Sequence, residues 1–473
     1  MTTAVERLAG AHVVVLNWRD IRHPQSGGAE QYMHQIARRW AAGGARVTWL
    51  TARAAGQVRR EVVDGIEIVR AGGALGVYPR VALSLLRRLG QIDVVIDCQN
   101  GIPFFSPLFV RAGVPIVQVV HHVHQDQFAT RFGPVLSAVG RFLEGRGTRA
   151  VYGHRPIAAV SPSTRHELRR QLGFRGPIHI VPNGNDAAPT LRAPRDPDPT
   201  IAVVSRLVPH KRVDLLLAQL ASVAADVPQL RVDVVGDGPE RPRLTTLAAE
   251  LGLADVVTFH GYVPAASRDE LLSRAWLTTS TSAAEGWGLS IVEAAAHGVP
   301  TLALQVPGVR DSVVHGRTGW LVHEVHDFAV AATAALQELA SDDRAREVTE
   351  ACQAWADCFT WDRSAELLAG VVHSAADKAT ALRSARSDMG VIVEFVPPTD
   401  WSGMDALRPT DQADVRDGRV RLLLTGCDEI DAVTTLQRLG IDHADVRLAD
   451  RYDLLVGPAR LPEALTRPVG GMS

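Results

Sequence analysis

At 473 residues, with 46% apolar residues, 22% charged residues and a formal net charge of −2, the chain has the balance of a soluble globular protein and exceeds one ordinary domain. A charge this close to neutral argues against a nucleic-acid binder, which normally carries a basic face or domain. The four cysteines, Cys98, Cys352, Cys358 and Cys427, have no metal-ligand spacing. Cys352 and Cys358 fall on an expected helix, separated by roughly 9 Å of rise, too far to bridge, which suits a reducing cytoplasm.

The opening segment MTTAVERLAGAHVVVLNW runs into a strand without a basic start, an apolar run or a cleavage pattern, so no signal peptide is expected. Buried strands are expected at HVVVLNW (12–18), RVTWLTAR (46–53), IDVVIDCQN (92–100), VPIVQVV (114–120), RPIAAVSPST (155–164) and PIHIVPNG (177–184). A glycine loop and helix, SGGAEQYMHQIARRWAAGG, occupy 26–44, and helical stretches separate several of the other strands. The stretch Ile102–Val120 is apolar but is broken by Pro103, Pro107, Arg111 and Pro115, so it fails as a membrane span of about 20 residues. APTLRAPRDPDPT (188–200) reads as a linker. A second alternation follows, with strands at 200–207, 230–240, 256–263, 275–282 and 300–308 and helices between them, the first at about 212–225.

Short continuous apolar strands alternating with helices indicate parallel, doubly wound sheets. The expected fold class is α/β: two Rossmann-like domains facing across a cleft, plus a small C-terminal α+β domain. The expected division is 1–187, 188–199 as linker, 200–360, 361–379 as a crossover helix, and 380–473 as an extension of unknown role. In that extension GVIVEFV (390–396) and RVRLLLTG (419–426) read as strands and EIDAVTTLQRLG (429–440) as a helix. Ligands of such sheets sit beyond the carboxyl ends of the strands.

The strongest chemical signal is EGWGLSIVE, Glu285 to Glu293, where a glycine turn leads from a strand into a helix expected near Ser290. Amides at a helix start attract anions, and Gly286 and Gly288 let a ligand approach the backbone. Ser290 and Glu293 also fit a capping box, which needs no ligand. A second signal is SRLVPHKRV (205–213). The chain contains two lysines, Lys211 and Lys378, and uses arginine for its other cations. A lysine in that background points to a site that wants a compact ammonium on phosphate instead of a planar fork. Arg212 reads as solvated.

These segments together resemble glycosyltransferase family 4, the retaining nucleotide-sugar enzymes of GT-B fold. EGWGLSIVE resembles the family's E-x7-E signature, SRLVPHKR its arginine–lysine diphosphate clamp, and NWRDIRHPQSGGAE its N-terminal glycine loop. VSPST (160–164), VPNGND (181–186), VVGDGP (234–239) and HGYV (260–263) match in the expected order, and Trp287 stands where many relatives carry phenylalanine. The resemblance covers about residues 10–375. It implies that Arg206 and Lys211 hold the donor diphosphate, that Glu285 meets the sugar, and that Glu293 meets the ribose. It further implies that Gly27 and Gly28 close over the phosphates, and that Gly261 and Tyr262 meet the base. Gly286, Trp287, Gly288 and Leu289 line the donor turn. One of His121 and His122 contacts the transferred sugar, and His121 is the better placed in the pattern.

The expected activity is therefore metal-independent transfer of a sugar, with retention, from a nucleoside diphosphate sugar to an acceptor hydroxyl in glycan, glycolipid or secondary glycoside synthesis. No cofactor is expected. An epimerase or phosphorylase on the same fold, or a non-catalytic nucleotide-sugar sensor, stands as the alternative. Asp196-Pro197-Asp198 matches a D-x-D metal motif but sits in the proline stretch, and His121, His122 and His124 have no further ligand cluster beside them. Arg80, Arg87, Arg88, Arg141, Arg146 and Arg149 give the first domain a face that anionic lipid at the inner side of a membrane could meet, with an ordinary solvated surface as the simpler reading. Base, sugar, acceptor and oligomeric state stay open.

Overall fold

The computed structural model describes residues 2–125, 133–186, 193–377, 388–398, 401, 403–441 and 443–466. Lys378 lies outside them. The chain forms two compact units, 1–184 with 361–460, and 185–360 with 461–473.

In the first unit the elements run β1 (His12–Leu16), α1 (Gly28–Ala42), β2 (Arg46–Thr51), β3 (Arg60–Val63), β4 (Ile66–Arg70), α2 (Val77–Arg87), β5 (Val94–Gln99) and β6 (Ile116–Val120). They continue with α3 (Pro134–Phe142), a π-helical turn (Leu143–Gly147), α4 (Thr148–Tyr152), β7 (Ile157–Ala159), α5 (Pro162–Arg170) and β8 (Ile178–Ile180). The sheet order is β3-β4-β2-β1-β5-β6-β7-β8, parallel except for β3, which pairs antiparallel with β4. β1, β5 and β6 are buried at every position, which is why each reads as an unbroken apolar run. The β3–β4 hairpin is not expected from the sequence: its residues alternate between buried and exposed, and it forms an edge.

The second unit carries β9 (Thr200–Val204), α6 (Val213–Asp226), β10 (Arg231–Val235), α7 (Arg241–Glu250), β11 (Val257–Gly261), α8 (Ala265–Arg274), β12 (Leu277–Ser280), α9 (Leu289–Ala296), β13 (Thr301–Leu304), α10 (Val309–Ser312), β14 (Gly319–Val322), α11 (Phe328–Leu339) and α12 (Asp342–Ala356). Its six strands are parallel in the order β11-β10-β9-β12-β13-β14. The described part of the expected linker, 193–199, is packed against this unit. Arg195 stacks on the Trp276 ring at 3.6 Å, and the Asp196 carbonyl accepts from Trp276 Nε1 at 2.7 Å. The D-x-D carboxylates pair with Arg274 and Arg231. The chain passes between units at 184/185, 360/361 and 460/461.

The return segment starts with α13 (Trp361–Ala376), which packs along α1: Trp40 Nε1 donates to the Ala365 carbonyl at 3.1 Å. Beyond it come β15 (Gly390–Phe395), β16 (Gln412–Arg416), β17 (Arg419–Thr425), α14 (Glu429–Arg438), β18 (Asp445–Leu448) and α15 (Arg451–Val456); a short α16 (Glu463–Thr466) falls with the second unit. The antiparallel sheet β16-β17-β15-β18 has its own core, Val391, Val393, Phe395, Val420, Leu422 and Leu424 against Ala432 and Leu436 of α14. This small α+β domain also packs on the rest of the first unit. Arg169 of α5 forks onto Asp388 at 2.7 and 2.6 Å, and Arg363 of α13 donates to the Leu455 carbonyl at 2.7 Å.

At Gly370 of α13 a Cβ would lie 2.3 Å from the Pro409 carbonyl oxygen, so glycine lets the extension seat on this helix. Gly370→Ala should lower stability by about 1–3 kcal/mol by overpacking, despite the better helix propensity of alanine. The check is thermal unfolding of the variant beside the parent; an unchanged or raised Tm would mean that the extension does not press on α13.

Candidate active site

Both sheets are doubly wound, and each reverses its strand order once. In the second unit the reversal lies between β9 and β12. A ligand of such a sheet enters the crevice outside the carboxyl ends at that point. The segment after β9 carries Arg206 and Lys211, and the segment after β12 carries Glu285 to Gly288. Backbone bonds stitch the two together. Ala283 N–H donates to the His210 carbonyl at 2.9 Å, and Thr281 Oγ1 donates to the Arg212 carbonyl at 2.9 Å. Arg212 has a left-handed φ of 51°, which turns the chain into α6.

This stitching brings Lys211 Nζ against Glu285 Oε1 in an ion pair with side chains 16% and 19% exposed. Burial alone would raise the Glu285 carboxyl. The Lys211 ammonium, helped by Ser282 and His210, outweighs burial and holds it below its ordinary value. The two residues from separate motifs are thus direct partners. Arg206 is exposed at the same strand end.

The VVGDGP motif has a packing reason. A Cβ at Gly236 would lie 2.0 Å from the Ser205 carbonyl oxygen, and one at Gly238 would lie 2.2 Å from that of Leu207. The glycines let the turn lie against the clamp segment, where Leu207 N–H donates to the Asp237 carbonyl at 2.9 Å. Gly261 ends β11 beside this turn, with its carbonyl accepting from Gly236 N–H at 2.8 Å, and Tyr262 is 84% exposed.

α9 begins at Leu289, with Gly288 as its N-cap at φ 91° and no side chain capping it. Ser290 lies inside the first turn, so the S-x-x-E capping box is not formed, and Glu293 has no capping role. Glu293 is half-buried. Burial raises its carboxyl to about 7, Arg268 opposes that rise, and Asp186 and Asp269 add to it. Asp186 and Arg268 are missed as site neighbours in the sequence, although Asp186 closes the quoted VPNGND. Trp287 is buried, its ring edge-on to Phe359 at 4.9 Å and Phe359 edge-on to Trp355 at 4.7 Å. Its ring anchors the turn, and only its backbone remains to meet a ligand.

In the first unit, Gly27 caps α1 through its N–H, which donates to the Glu30 carboxylate at 2.7 Å, and Gly28 is the first helical residue. The loop before them is pinned by a fully buried pair: Arg70 donates to Asp20 at 2.6 and 2.8 Å and also meets Glu61. His121, one residue past β6, is buried edge-on against Tyr32 at 5.0 Å, with Nε2 lacking a hydrogen-bond partner among the described residues. Burial, then its neighbours His122 and His124, lowers it to about 3, so the ring is neutral. His122 and His124 stack at 4.0 Å. Among the described residues no three His, Cys, Asp or Glu side chains cluster as a metal site.

Because the folded Glu285 carboxyl is held below its ordinary 4.5, its pairing stabilises above that value and is lost as pH falls through the folded value. Lys211→Ala should therefore lose about 1–3 kcal/mol near pH 7, where a carboxylate is left unpaired, and lose less at pH 4, below the ordinary carboxyl value. Denaturant unfolding at the two pH values checks this; an equal loss at both would show that the ammonium acts through packing.

The description "Glycosyltransferase Family 4" matches residues 26–189, and "Glycosyl transferases group 1" matches 191–354. The chain is 28% identical over 321 residues to the GDP-mannose-dependent alpha-(1-6)-phosphatidylinositol monomannoside mannosyltransferase of Mycolicibacterium smegmatis, covering 62% of this chain and 81% of that one. It is 32% identical over 300 residues to the D-inositol 3-phosphate glycosyltransferase of Nocardia farcinica, covering 59% and 65%. In fold it is similar to the sucrose-phosphate synthase of Thermosynechococcus elongatus, with a TM-score of 0.63 at 20% identity over 75% of this chain and 96% of that one. It is also similar to HepE of Anabaena in complex with UDP, with a TM-score of 0.56 at 19% identity over 77% and 100%. Two doubly wound units with these motifs at the strand ends, matched by both models and by these relatives, make the chain a glycosyltransferase of family 4 with the GT-B architecture.

Proposed function

We propose that the chain transfers a sugar, with retention of configuration and without a metal, from a nucleoside diphosphate sugar to an acceptor hydroxyl. The observation that carries the reading is the Lys211–Glu285 pair at the strand-order reversal of the second unit. Arg206 and Lys211 bind the diphosphate and stabilise the charge that grows on it as the sugar leaves. Lys211 then exchanges one carboxylate partner for phosphate oxygens, and Glu285 turns to the sugar hydroxyls. The acceptor attacks from the side of the leaving phosphate, which takes its proton. Glu293 accepts from the ribose hydroxyls, and Gly261 and Tyr262 meet the base. Gly27 and Gly28 close over the phosphates, and the neutral His121 ring offers its nitrogen to the transferred sugar. The relatives' names, both built on inositol, support a polyol acceptor.

The test is a screen of UDP-, GDP- and ADP-sugars for released nucleoside diphosphate. One donor should turn over, survive exhaustive chelation and give a product with the donor's anomeric configuration. Loss with EDTA restored by manganese, or an inverted product, would overturn the corresponding part. Lys211→Ala should reduce turnover about 10²–10³-fold, and Lys211→Arg should also be impaired. An ionised Glu293 accepts from hydroxyls more strongly than a protonated one, so donor affinity should rise as pH passes through about 7, and Glu293→Gln should abolish that rise.

We further propose peripheral contact with an anionic bilayer through α3. This helix turns its apolar side outward: Val135, Leu136, Val139 and Phe142 are 75%, 64%, 49% and 55% exposed, while Ser137 and Gly140 are buried. Arg141, Arg146 and Arg149 are exposed beside it, supplying the cations that an anionic surface attracts. Among the described residues no helix is long and apolar enough to cross a membrane. The chain should co-sediment with phosphatidylglycerol vesicles more than with phosphatidylcholine vesicles, and Leu136→Glu with Phe142→Glu should remove the difference. Unchanged sedimentation of that variant would exclude α3.

A further inference from the structure

The first unit has a strand-order reversal of its own, between β1 and β5. The two strands are parallel neighbours with Leu16 opposite Asp97. Asn17 is the first residue past β1, and Asn100 is the first past β5. Their side chains meet across the reversal, Asn100 Nδ2 donating to Asn17 Oδ1 at 2.7 Å. Asn17 is fully buried, and its own Nδ2 has no partner among the described residues. Asn100 is half-buried, and among the described residues no hydrogen bond engages its Oδ1. A buried amide left unsatisfied is costly, so packing alone does not account for the pair.

The surroundings are electrically spent. Asp20 and Arg70 neutralise each other, Arg19 pairs with Glu30 at 3.2 Å, and Asp97 is engaged by the amides of Phe104 and Ser106 and by Tyr152. One step inside, Gln118 Nε2 donates to Gln99 Oε1 at 2.6 Å, a second neutral amide pair. A half-buried carboxamide at this rim, with the neighbouring charges held by ion pairs or hydrogen bonds, suits a neutral hydroxyl better than a phosphate or a carboxylate.

We propose that Asn100 binds a hydroxyl of the acceptor and that Asn17 is the positioning residue that holds it, so that the acceptor enters by an uncharged, hydroxyl-bearing part. This rests on the transfer reaction proposed above. Asn17, by accepting from Asn100 Nδ2, fixes the carboxamide plane and leaves Oδ1 to accept from the hydroxyl.

The experiment uses the full chain with the donor found by the screen, taking myo-inositol and inositol 1-phosphate as neutral and anionic probes. Asn100→Ala should lower kcat/KM for transfer to myo-inositol by about tenfold or more, chiefly through KM. Donor hydrolysis by water and donor affinity should stay within about twofold of the parent. Asn17→Ala should move the same quantity in the same direction, and a merely structural Asn17 would instead lower Tm and donor hydrolysis together. Unchanged transfer in Asn100→Ala would overturn the assignment. So would a parent enzyme that hydrolyses donor yet uses only the anionic probe, or neither probe. Failure of the parent to hydrolyse any donor would count against the transfer reaction itself, which separates the two readings.

Discussion

A parallel sheet that grows outward in both directions from one strand must send its next connections to opposite faces, and that leaves a gap at the carboxyl ends where the order reverses. Both units obey this constraint, and the chemistry follows it. In the second unit the gap lies between β9 and β12, and its two rims supply Lys211 and Glu285. In the first it lies between β1 and β5, and its rims supply Asn17 and Asn100. One unit therefore presents a charged pair at its reversal and the other a neutral one. That asymmetry accords with the reaction proposed above, which needs binding for a charged diphosphate and for a neutral hydroxyl.

The charged pair depends on a balance that lysine suits better than arginine. Glu285 is buried enough for desolvation to favour its neutral form, and the nearby ammonium, with Ser282 and His210, keeps it ionised. A guanidinium would fork onto both carboxylate oxygens and fix the pair. An ammonium on a flexible stem makes one contact and keeps two donors, so phosphate oxygens can draw it away without a rigid geometry to break. Glu293 is the opposite case. Arg268 alone cannot offset burial with Asp186 and Asp269 beside it, so its carboxyl stays near neutrality until something donates to it.

What the sequence revealed follows from how each segment is buried. Strands covered on both faces are unbroken apolar runs, so β1, β5, β6 and β9 could be read directly. Edge strands are half exposed and carry charge, and β3, β16 and β18 were missed for that reason. The motifs located the rims of the second unit because glycines and charges recur there at fixed spacing. The capping box was a local pattern overridden by Gly288, whose left-handed backbone puts the N-cap two residues before Ser290. Asn17 and Asn100 had no signal: a single asparagine at a strand end forms no spacing pattern, and 83 residues separate the two.

The C-terminal extension shows the same limit from another direction. Its strands alternate cleanly and build a core, which reads in sequence as an independent domain. The contacts that join it to the rest of the first unit are few and far apart in the chain: a helix glycine under a carbonyl, an arginine fork onto Asp388, and an arginine capping the Leu455 carbonyl. All three act on α5 or α13, helices of the first unit. α13 also lies along α1, whose first turn carries Gly27 and Gly28. The extension therefore packs on α13, which in turn packs on α1 through Trp40.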